Sequence, residues 1–213
     1  MAKSQISSYV IKRLPRYYRF LEEMKKNNVG RISSKEIAER MGVTASQIRQ
    51  DLNCFGGFGQ QGYGYNVDTL HDEIAKILGI DKMRKTILIG AGHLGNAVAS
   101  HIEFEKKGCH LIGIFDSNSN LFGKSVGCHK VMDIKKLESF CTENKPEIAV
   151  LCIPKNSAKN ISERLIRLGI YAFWNFSHYD IRNNIDNHKI IVENVHLADS
   201  LMTLSYSVNN FEK

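Results

Sequence analysis

A glycine-rich segment directly after a short apolar run constrains the fold more than any other feature of the chain. Residues 87–89 are apolar, and residues 90–95 follow with the spacing G-x-G-x-x-G at the start of a helical pattern. In this spacing the first glycine permits a tight turn, the second lets the backbone approach a pyrophosphate, and the third allows the helix to pack closely on the strand. Free N–H groups and the positive helix end then attract phosphates. The segment therefore predicts the first turn of a nucleotide-binding βαβ unit.

A carboxylate follows where such a unit places its ribose contact. The next apolar run ends at Asp116, 21 residues after Gly95. A carboxylate at this position suits the hydroxyls of an adenosine ribose and repels a 2′-phosphate, so NADH and NAD+ are favoured over their phosphorylated forms. A related ligand such as coenzyme A, bound by the same loop, stays open as an alternative.

From residue 85 onward, short apolar runs alternate with helical patterns, which is typical of βαβ units and a parallel sheet. The predicted strands are residues 86–90, 110–115, 148–153, 172–175 and 189–192, and the predicted helices lie around residues 94–104, 134–141 and 158–168. Ile153, Pro154 and Phe176 follow strand ends and could form an apolar wall for a nicotinamide. Such a wall suits the neutral reduced ring better than the cationic oxidised ring, because burying an unpaired charge is costly.

The N-terminal part shows two short helices with capping signals. A helix is predicted over residues 17–24 with Pro15 in its first turn. Ser33 with Glu36 forms a capping box, and Gly42 ends that helix. Thr44 and Gln47 repeat the capping signature. Two capped helices across a glycine-containing turn predict a helix-turn-helix.

A glycine-rich hairpin, or wing, is predicted over residues 58–67, and Asp68 is the predicted N-cap of a closing helix over residues 69–78. The N-terminal region also carries the net positive charge of the chain. Residues 1–50 hold 11 basic and 4 acidic side chains, which accounts for the whole formal net charge of +7. A basic segment on a neutral body favours a polyanionic partner, with a basic solvated face as the alternative.

A last amphipathic helix over residues 196–208 packs on its own domain or enters a partner subunit's interface.

Together these segments resemble the Rex family of redox-sensing transcriptional repressors. The resemblance is carried by residues 13–20, 49–52, 55–59, 62–67, 90–95 and 175–176, and it spans nearly the whole chain. It implies a homodimer that binds palindromic operator DNA when NADH is scarce and exchanges C-terminal helices between subunits. NADH would close the dimer and release the DNA, and NAD+ would compete for the site.

The implied α/β fold has three parts: a winged helix-turn-helix DNA-binding domain (residues 1–82), a Rossmann-like NAD(H)-binding domain with a parallel sheet (residues 83–193) and a C-terminal dimerisation helix (residues 194–213). The predicted cofactor-contacting residues are Gly90, Ala91, Gly92, His93, Leu94, Gly95, Asp116, Ile153, Pro154, Asn175 and Phe176.

On DNA, Arg49 is the best candidate for a guanine contact, and Gln47 or Gln50 could read adenine. Basic residues of the first helix suit phosphates, and the wing suits a minor groove. The predicted DNA-contacting residues are Lys12, Arg13, Arg16, Arg19, Ser46, Gln47, Arg49, Gln50, Gln60, Gln61 and Tyr63.

Some positions depart from the family pattern. Gln50 and Gln61 stand where basic residues are common, and the loss of positive charge predicts weaker DNA binding or an altered operator. In the glycine loop, His93 stands where the family often has Asn. The family couples ligand and DNA states through an interdomain Tyr and an Asp near the C-terminal helix. The matching positions are His101 and His196, with Asp199 close by. Two histidines would make the coupling sensitive to pH, with two solvated histidines as the alternative.

An NAD-dependent oxidoreductase is the main alternative function. It needs a substrate domain and a positioned acid or base, yet only 131 residues follow Lys82, and His178 is the one nearby candidate base. No enzyme activity and no catalytic residue are therefore predicted. The five cysteines and eight histidines lack metal-ligand spacing, so no metal is predicted. No apolar run approaches the ~18 residues of a membrane helix and no signal core is present, which predicts a cytoplasmic protein without a membrane partner.

Overall fold

The structure is a computed structural model that describes residues 6–60, 63–182 and 190–211. The chain forms two compact units, Met1–Lys82 and Met83–Lys213. Within the described residues, no helix is both long and apolar enough to cross a membrane.

The first unit combines four helices with a small antiparallel sheet. The helices are α1 (Ser8–Lys26), α2 (Ser34–Met41), α3 (Ala45–Asn53) and α4 (Val67–Leu78), and the strands are β1 (Arg31–Ile32), β2 (Gly59–Gln60) and β3 (Gly64–Asn66) in the order β1-β3-β2. Apolar residues of α1, α3 and α4 form one core, which includes Leu14, Ile48 and Ile74. The predicted hairpin is confirmed. Strand β1 was not predicted, because two residues are too short to show an alternating pattern.

The predicted helix-turn-helix is confirmed at its caps. The Ser33 hydroxyl accepts from the Glu36 N–H at 3.1 Å, and the Glu36 carboxylate accepts from the Ser33 N–H at 2.8 Å. Gly42 ends α2 in the left-handed region with φ +65°. At α3 the Thr44 hydroxyl accepts from the Gln47 N–H at 3.1 Å. The Gln47 side chain does not complete a second capping box there, because it donates to Asp51.

Two further local predictions in this unit are wrong. Helix α1 begins at Ser8, so Pro15 lies inside the helix rather than in its first turn. Proline cannot donate a backbone hydrogen bond, but buried residues on both sides of it, such as Val10 and Leu21, hold the helix against the core.

The N-cap of α4 is Asn66, not Asp68. The Asn66 Oδ1 accepts from the Thr69 N–H at 2.9 Å. Helix α4 begins at Val67, one residue before Asp68, because the Val67 side chain is fully buried in the core. Asp68 instead lies in the first turn and pairs with Lys25 at 3.2 Å.

The second unit is built on a seven-stranded sheet. Its strands are β4 (Arg84–Ile89), β5 (Cys109–Asp116), β6 (Ser125–Val126), β7 (His129–Asp133), β8 (Ile148–Leu151), β9 (Ala172–Asn175) and β10 (Ile191–Asn194). The order is β10-β9-β8-β4-β5-β7-β6, and every neighbouring pair is parallel except β6 with β7. Without the edge strand β6, this is the doubly wound order of a Rossmann-like fold. The predicted α/β class is confirmed.

The helices of this unit are α5 (His93–His101), α6 (Leu137–Asn144), α7 (Lys155–Arg167) and α8 (Leu197–Phe211). A 3₁₀ turn, Ile134–Lys136, precedes α6, where one continuous helix was predicted. Strands β6 and β7 were not predicted, and the predicted strand over residues 189–192 is β10, with residue 189 outside the described residues. Alternating side chains fill both faces of the sheet: Ile87 and Ile89 pack on one side and Leu88 on the other.

Candidate functional site

Two of the three loop glycines are required by the packing of the protein itself. Gly90 directly follows β4 and has φ +98°, and a Cβ there would overlap the carbonyl oxygen of Cys152 after β8. Gly95 lies in the first turns of α5, where a Cβ would overlap the carbonyl oxygen of Gly90. These contacts explain the tight turn and the close approach of helix and strand.

Gly92 has a different reason to be glycine. Its φ of −66° is open to any residue, and apart from its own neighbours along the chain no atom of the described protein lies within 4 Å of the position that its Cβ would take. Gly92 is the N-cap of α5, and no side chain of the described residues caps that helix. The position therefore leaves room and free N–H groups for a group from outside, which fits a phosphate.

A cleft of about 460 Å³ opens beside this loop. It lies at the carboxyl ends of β4 and β8, where the strand order reverses, which is the usual ligand site of such sheets. Five predicted cofactor residues line it: Gly90, Gly92, Asp116, Ile153 and Pro154.

Helix α7 supplies cleft residues that the sequence analysis missed. Asn156, Asn160 and Arg164 line the cleft at intervals of four residues, and Ser157 lies beside them. The Arg164 side chain also donates to the Ile134 carbonyl at 3.0 Å and pairs with Glu138. The hydrogen bond to Glu138 raises the pKa of Arg164. The spacing of four was a usable signal, because it places polar groups on one helix face after a strand end.

Asp116 already connects the loop to the end of β5. Its Oδ2 accepts from the Ala91 N–H at 2.6 Å, and its Oδ1 accepts from the Asn118 N–H at 2.8 Å. A carboxylate has about four acceptor positions, so it keeps capacity for ribose hydroxyls. Cys152 also lines the cleft, and burial raises the pKa of its thiol to about 12, so it stays protonated at neutral pH.

The remaining predicted cofactor residues have other surroundings. Asn175 is buried, and its amide is fully used: it donates to the Tyr179 carbonyl and to Asn194 Oδ1, both at 2.8 Å, and accepts from the Ser177 N–H and hydroxyl. Phe176 packs edge-on against Trp174, with ring centroids 4.8 Å apart. His93 and Leu94 lie exposed in the first turn of α5.

Of the three predicted coupling residues, His196 contacts His178. Their Nδ1 atoms are 2.7 Å apart and their rings stack with centroids 4.9 Å apart. His178 has a left-handed backbone with φ +56°. Asp199 follows in the first turn of α8 and donates its N–H to the His196 carbonyl at 3.1 Å, whereas His101 lies exposed at the end of α5.

In the first unit, most predicted DNA-contacting residues are exposed. Ser46, Arg49 and Gln50 are exposed on α3, and Arg49 donates to the Ser34 hydroxyl at 3.1 Å. The predicted DNA-contacting residues of α1 that are exposed are Lys12, Arg16 and Arg19, of which Arg16 also donates to the Met41 carbonyl. Tyr63 is exposed. Gln61 and the Gln60 side chain lie outside what the structure describes.

Arg13 and Gln47 instead converge on Asp51. Arg13 donates to both oxygens of this buried carboxylate at 2.6 and 2.7 Å, Gln47 Nε2 donates at 2.8 Å, and the Tyr17 hydroxyl donates at 2.6 Å. Burial alone would raise the pKa of Asp51, but the hydrogen bonds from Arg13, Tyr17 and Gln47 outweigh it and lower that pKa. Asp51 is not among the predicted site residues. Asp51 lies three residues after Ile48, so both residues lie on the same buried face of α3, and this spacing was the available signal.

Comparisons with known proteins identify the family. Residues 5–53 match a family model described as "Putative DNA-binding protein N-terminus", and residues 81–179 match one described as "CoA binding domain". The redox-sensing transcriptional repressor Rex of Thermoanaerobacter pseudethanolicus is 57% identical over 99% of this chain and 92% of its own length. The chain belongs to the Rex family. The Rex repressor of Clostridium novyi is 50% identical, over 98% of both chains.

Solved structures of a Rex-family repressor, RSP, agree with this assignment. RSP in complex with beta-NAD+ and operator DNA matches with a TM-score of 0.88 at 55% identity, over 98% of this chain and 95% of that chain. RSP in complex with beta-NADH matches with a TM-score of 0.87 at 52% identity, over 98% and 97%. The predicted Rex resemblance, with its N-terminal DNA-binding domain and Rossmann-like domain, is confirmed. Searched over the described residues, the chain has no group of three or more metal-ligating side chains.

Proposed function

We propose that this chain is a redox-sensing repressor that binds a palindromic operator as a homodimer and leaves it when NADH occupies the cleft of the second unit. Residues 1–82 would bind DNA, residues 83–193 would bind NADH or NAD+, and residues 194–213 would form the dimer contact. The observation that carries the proposal is the cleft beside Gly92 and Asp116, on a chain whose other unit is a basic helix-turn-helix.

The DNA-binding unit presents the residues that such a repressor needs. The exposed Ser46, Arg49 and Gln50 of α3 suit the major groove, and Arg49 is the residue that suits guanine. Lys12 and Arg19 of α1 suit phosphates, which position the protein without reading bases.

The fit of a dinucleotide rests on two features of the loop. The open position at Gly92 and the uncapped N-terminus of α5 would hold the pyrophosphate, and Asp116 would accept from ribose hydroxyls. Ile153 and Pro154 line the same cleft and would contact the nicotinamide. A shift from 99% to 1% of the DNA-competent state requires that NADH favour the other state by about 5.5 kcal/mol.

Helix α8 supports a dimer. All its residues are exposed in the single chain, including Leu201 and Leu204 at 63% and 58%. In the second unit an apolar groove of about 380 Å³, lined by Phe104, Trp174 and Ile191 among others, offers a surface for the same helix of a second copy. Burying leucines gains roughly 1.5–3 kcal/mol each, so Leu201→Asp should shift the protein to monomers in sedimentation.

A mobility-shift titration of a palindromic operator with NADH and with NAD+ tests the proposal directly. We expect NADH to release the DNA at lower concentration than NAD+. Asp116→Ala should weaken NADH binding and leave a repressor that stays on DNA at high NADH. Equal release from the variant and the unmodified protein would remove Asp116 from the ribose role.

A DNA-binding sensor of a coenzyme A derivative is the second candidate, because residues 81–179 match a coenzyme A binding family. Thermal shift with NADH, NAD+, NADPH and acetyl-coenzyme A separates the two, since the true ligand stabilises the protein by RT ln(1 + [L]/Kd). Asp116 favours the ligands without a phosphorylated ribose.

An oxidoreductase has less support. The relatives are named as repressors, and His178, the candidate base, is hydrogen bonded to His196. Constant NADH absorbance with a panel of oxo acids is the expected result, and turnover of any of them would contradict it.

A further inference from the structure

Asp51 is the centre of a buried network that reaches the surface of α3. The carboxylate is 1% exposed and accepts four hydrogen bonds, three of them from Arg13 and Tyr17 of α1. The fourth comes from Gln47, one turn earlier on α3, whose side chain is only half-buried. The α1 donors hold the carboxylate in place, so Gln47 has a fixed partner.

A carboxylate can only accept hydrogen bonds, and this decides which way the Gln47 amide points. Nε2 must face Asp51, because Oε1 would be repelled there. One Nε2 hydrogen is then used, and Gln47 keeps one N–H donor and one acceptor oxygen. Adenine presents the matching pair in the major groove, an N7 acceptor and an N6 donor. Guanine presents two acceptors, N7 and O6, and an amide held in this way cannot donate to both.

We infer that Asp51 is a positioning residue for operator recognition: by fixing the Gln47 amide it makes Gln47 select adenine and reject guanine at one position of each half-site. The inference rests on the proposed DNA binding through α3. It also means that Arg13 acts inside the protein, through Asp51, rather than as a phosphate contact. The pKa of Asp51, lowered by the same hydrogen bonds, keeps the carboxylate charged at neutral pH.

Base-substitution binding with the full-length protein tests this. Each base pair of a half-site is changed in turn, and Gln47→Met, which keeps the side-chain length but removes the amide, identifies the position that Gln47 reads. At that position we expect the unmodified protein to prefer adenine over guanine by about 5- to 100-fold. Replacing the adenine by purine, which lacks N6, or by 7-deazaadenine should weaken the unmodified protein and leave Gln47→Met unaffected.

Asp51→Asn is the decisive variant, because its amide can donate to Gln47 Oε1 and lets the glutamine turn around. We expect its adenine preference at this position to fall at least fivefold, with the preferences at all other positions retained. Tyr17→Phe is the matched control: it removes one donor to the same carboxylate, loosens the same network and leaves the bond from Gln47 in place, so its adenine preference should persist.

A second measurement covers the case in which Asp51→Asn fails to fold. In the unmodified protein, NMR should show one Gln47 side-chain N–H proton shifted downfield and protected from exchange. Two solvent-like protons would overturn the inference, as would an unchanged adenine preference in a folded Asp51→Asn or an equal loss in Tyr17→Phe. If the unmodified protein binds no operator at all, the proposed function itself is wrong, which is a distinguishable result.

Discussion

In the second unit the candidate ligand site is shaped largely by the backbone, whereas in the first unit the candidate DNA-binding surface includes side chains that a buried charge holds in place. Gly90 and Gly95 are fixed by the carbonyl groups that they approach, and Gly92 offers N–H groups beside an open cleft. On α1 and α3, Arg13 and Gln47 take their positions from one buried carboxylate, Asp51.

The difference concerns how far a site depends on distant parts of the chain. The motif of a backbone site is recognisable from a few consecutive residues, although Gly90 also packs against the distant Cys152 carbonyl. The position of a functional side chain depends on the residue that it bonds to. Arg13 is held inside the first unit, rather than free at the surface, because it donates to Asp51, 38 positions further along the chain. The two kinds of site should therefore respond differently to substitution.

The largest effect is expected from Gly90→Ala. The added Cβ would overlap the Cys152 carbonyl oxygen at a φ that disfavours alanine, so the second unit should lose about 3 kcal/mol of unfolding free energy. Urea denaturation followed by Trp174 fluorescence measures this, since that residue lies in the second unit. A change below about 0.5 kcal/mol would mean that the backbone does not define this site.

Arg13→Ala should come next, because it leaves a buried carboxylate without its cation. We expect the first unit to lose about 2 kcal/mol, less than for a fully buried pair because Arg13 is one-third exposed. The slope of the logarithm of the operator-binding constant against the logarithm of the salt concentration (the salt slope) should stay the same.

Arg19→Ala is the comparison variant for that experiment. It should lower the salt slope by about 1 for each half-site and leave the stability unchanged. If Arg13→Ala lowers the slope by the same amount, Arg13 is a phosphate contact after all.

Gly92→Ala is expected to separate binding from folding. Its Cβ meets none of the described protein atoms, so the unfolding free energy should change by less than about 0.5 kcal/mol. The methyl group would occupy the space for a phosphate, and NADH affinity should fall about tenfold, or roughly 1.4 kcal/mol, by calorimetric titration. Unchanged affinity would place the pyrophosphate elsewhere.

The smallest effect concerns pH. Because hydrogen bonds in the folded state lower the pKa of Asp51, its contribution to stability is complete above the unfolded pKa and is lost as pH falls through the folded pKa. The pKa values of Glu138 and Glu147 are lowered as well, so the difference between the unmodified protein and Asp51→Asn isolates this residue. That difference should shrink below about pH 4, and a constant difference would contradict the assignment.

Local patterns predicted the elements well where the signal lay within a few residues. The Ser33–Glu36 capping box and the strand before Gly90 are of this kind. The predictions failed where burial competed with a local preference, as at Asp68, because Val67 is buried and moved the cap to Asn66. Short edge strands such as β6 were not predicted, because two residues are too few to show the alternation of apolar and polar side chains that identifies a strand.

The sequence by itself determined the helix-turn-helix, the glycine loop and the carboxylate of Asp116, because capping signals, backbone turns and strand ends depend on neighbouring residues. Only the tertiary structure decided that Arg13 and Gln47 share Asp51, that Asn175 is used within the protein, and that His196 contacts His178. These outcomes depend on which distant side chains the packing brings within 3 Å. A one-dimensional pattern carries no information about that distance.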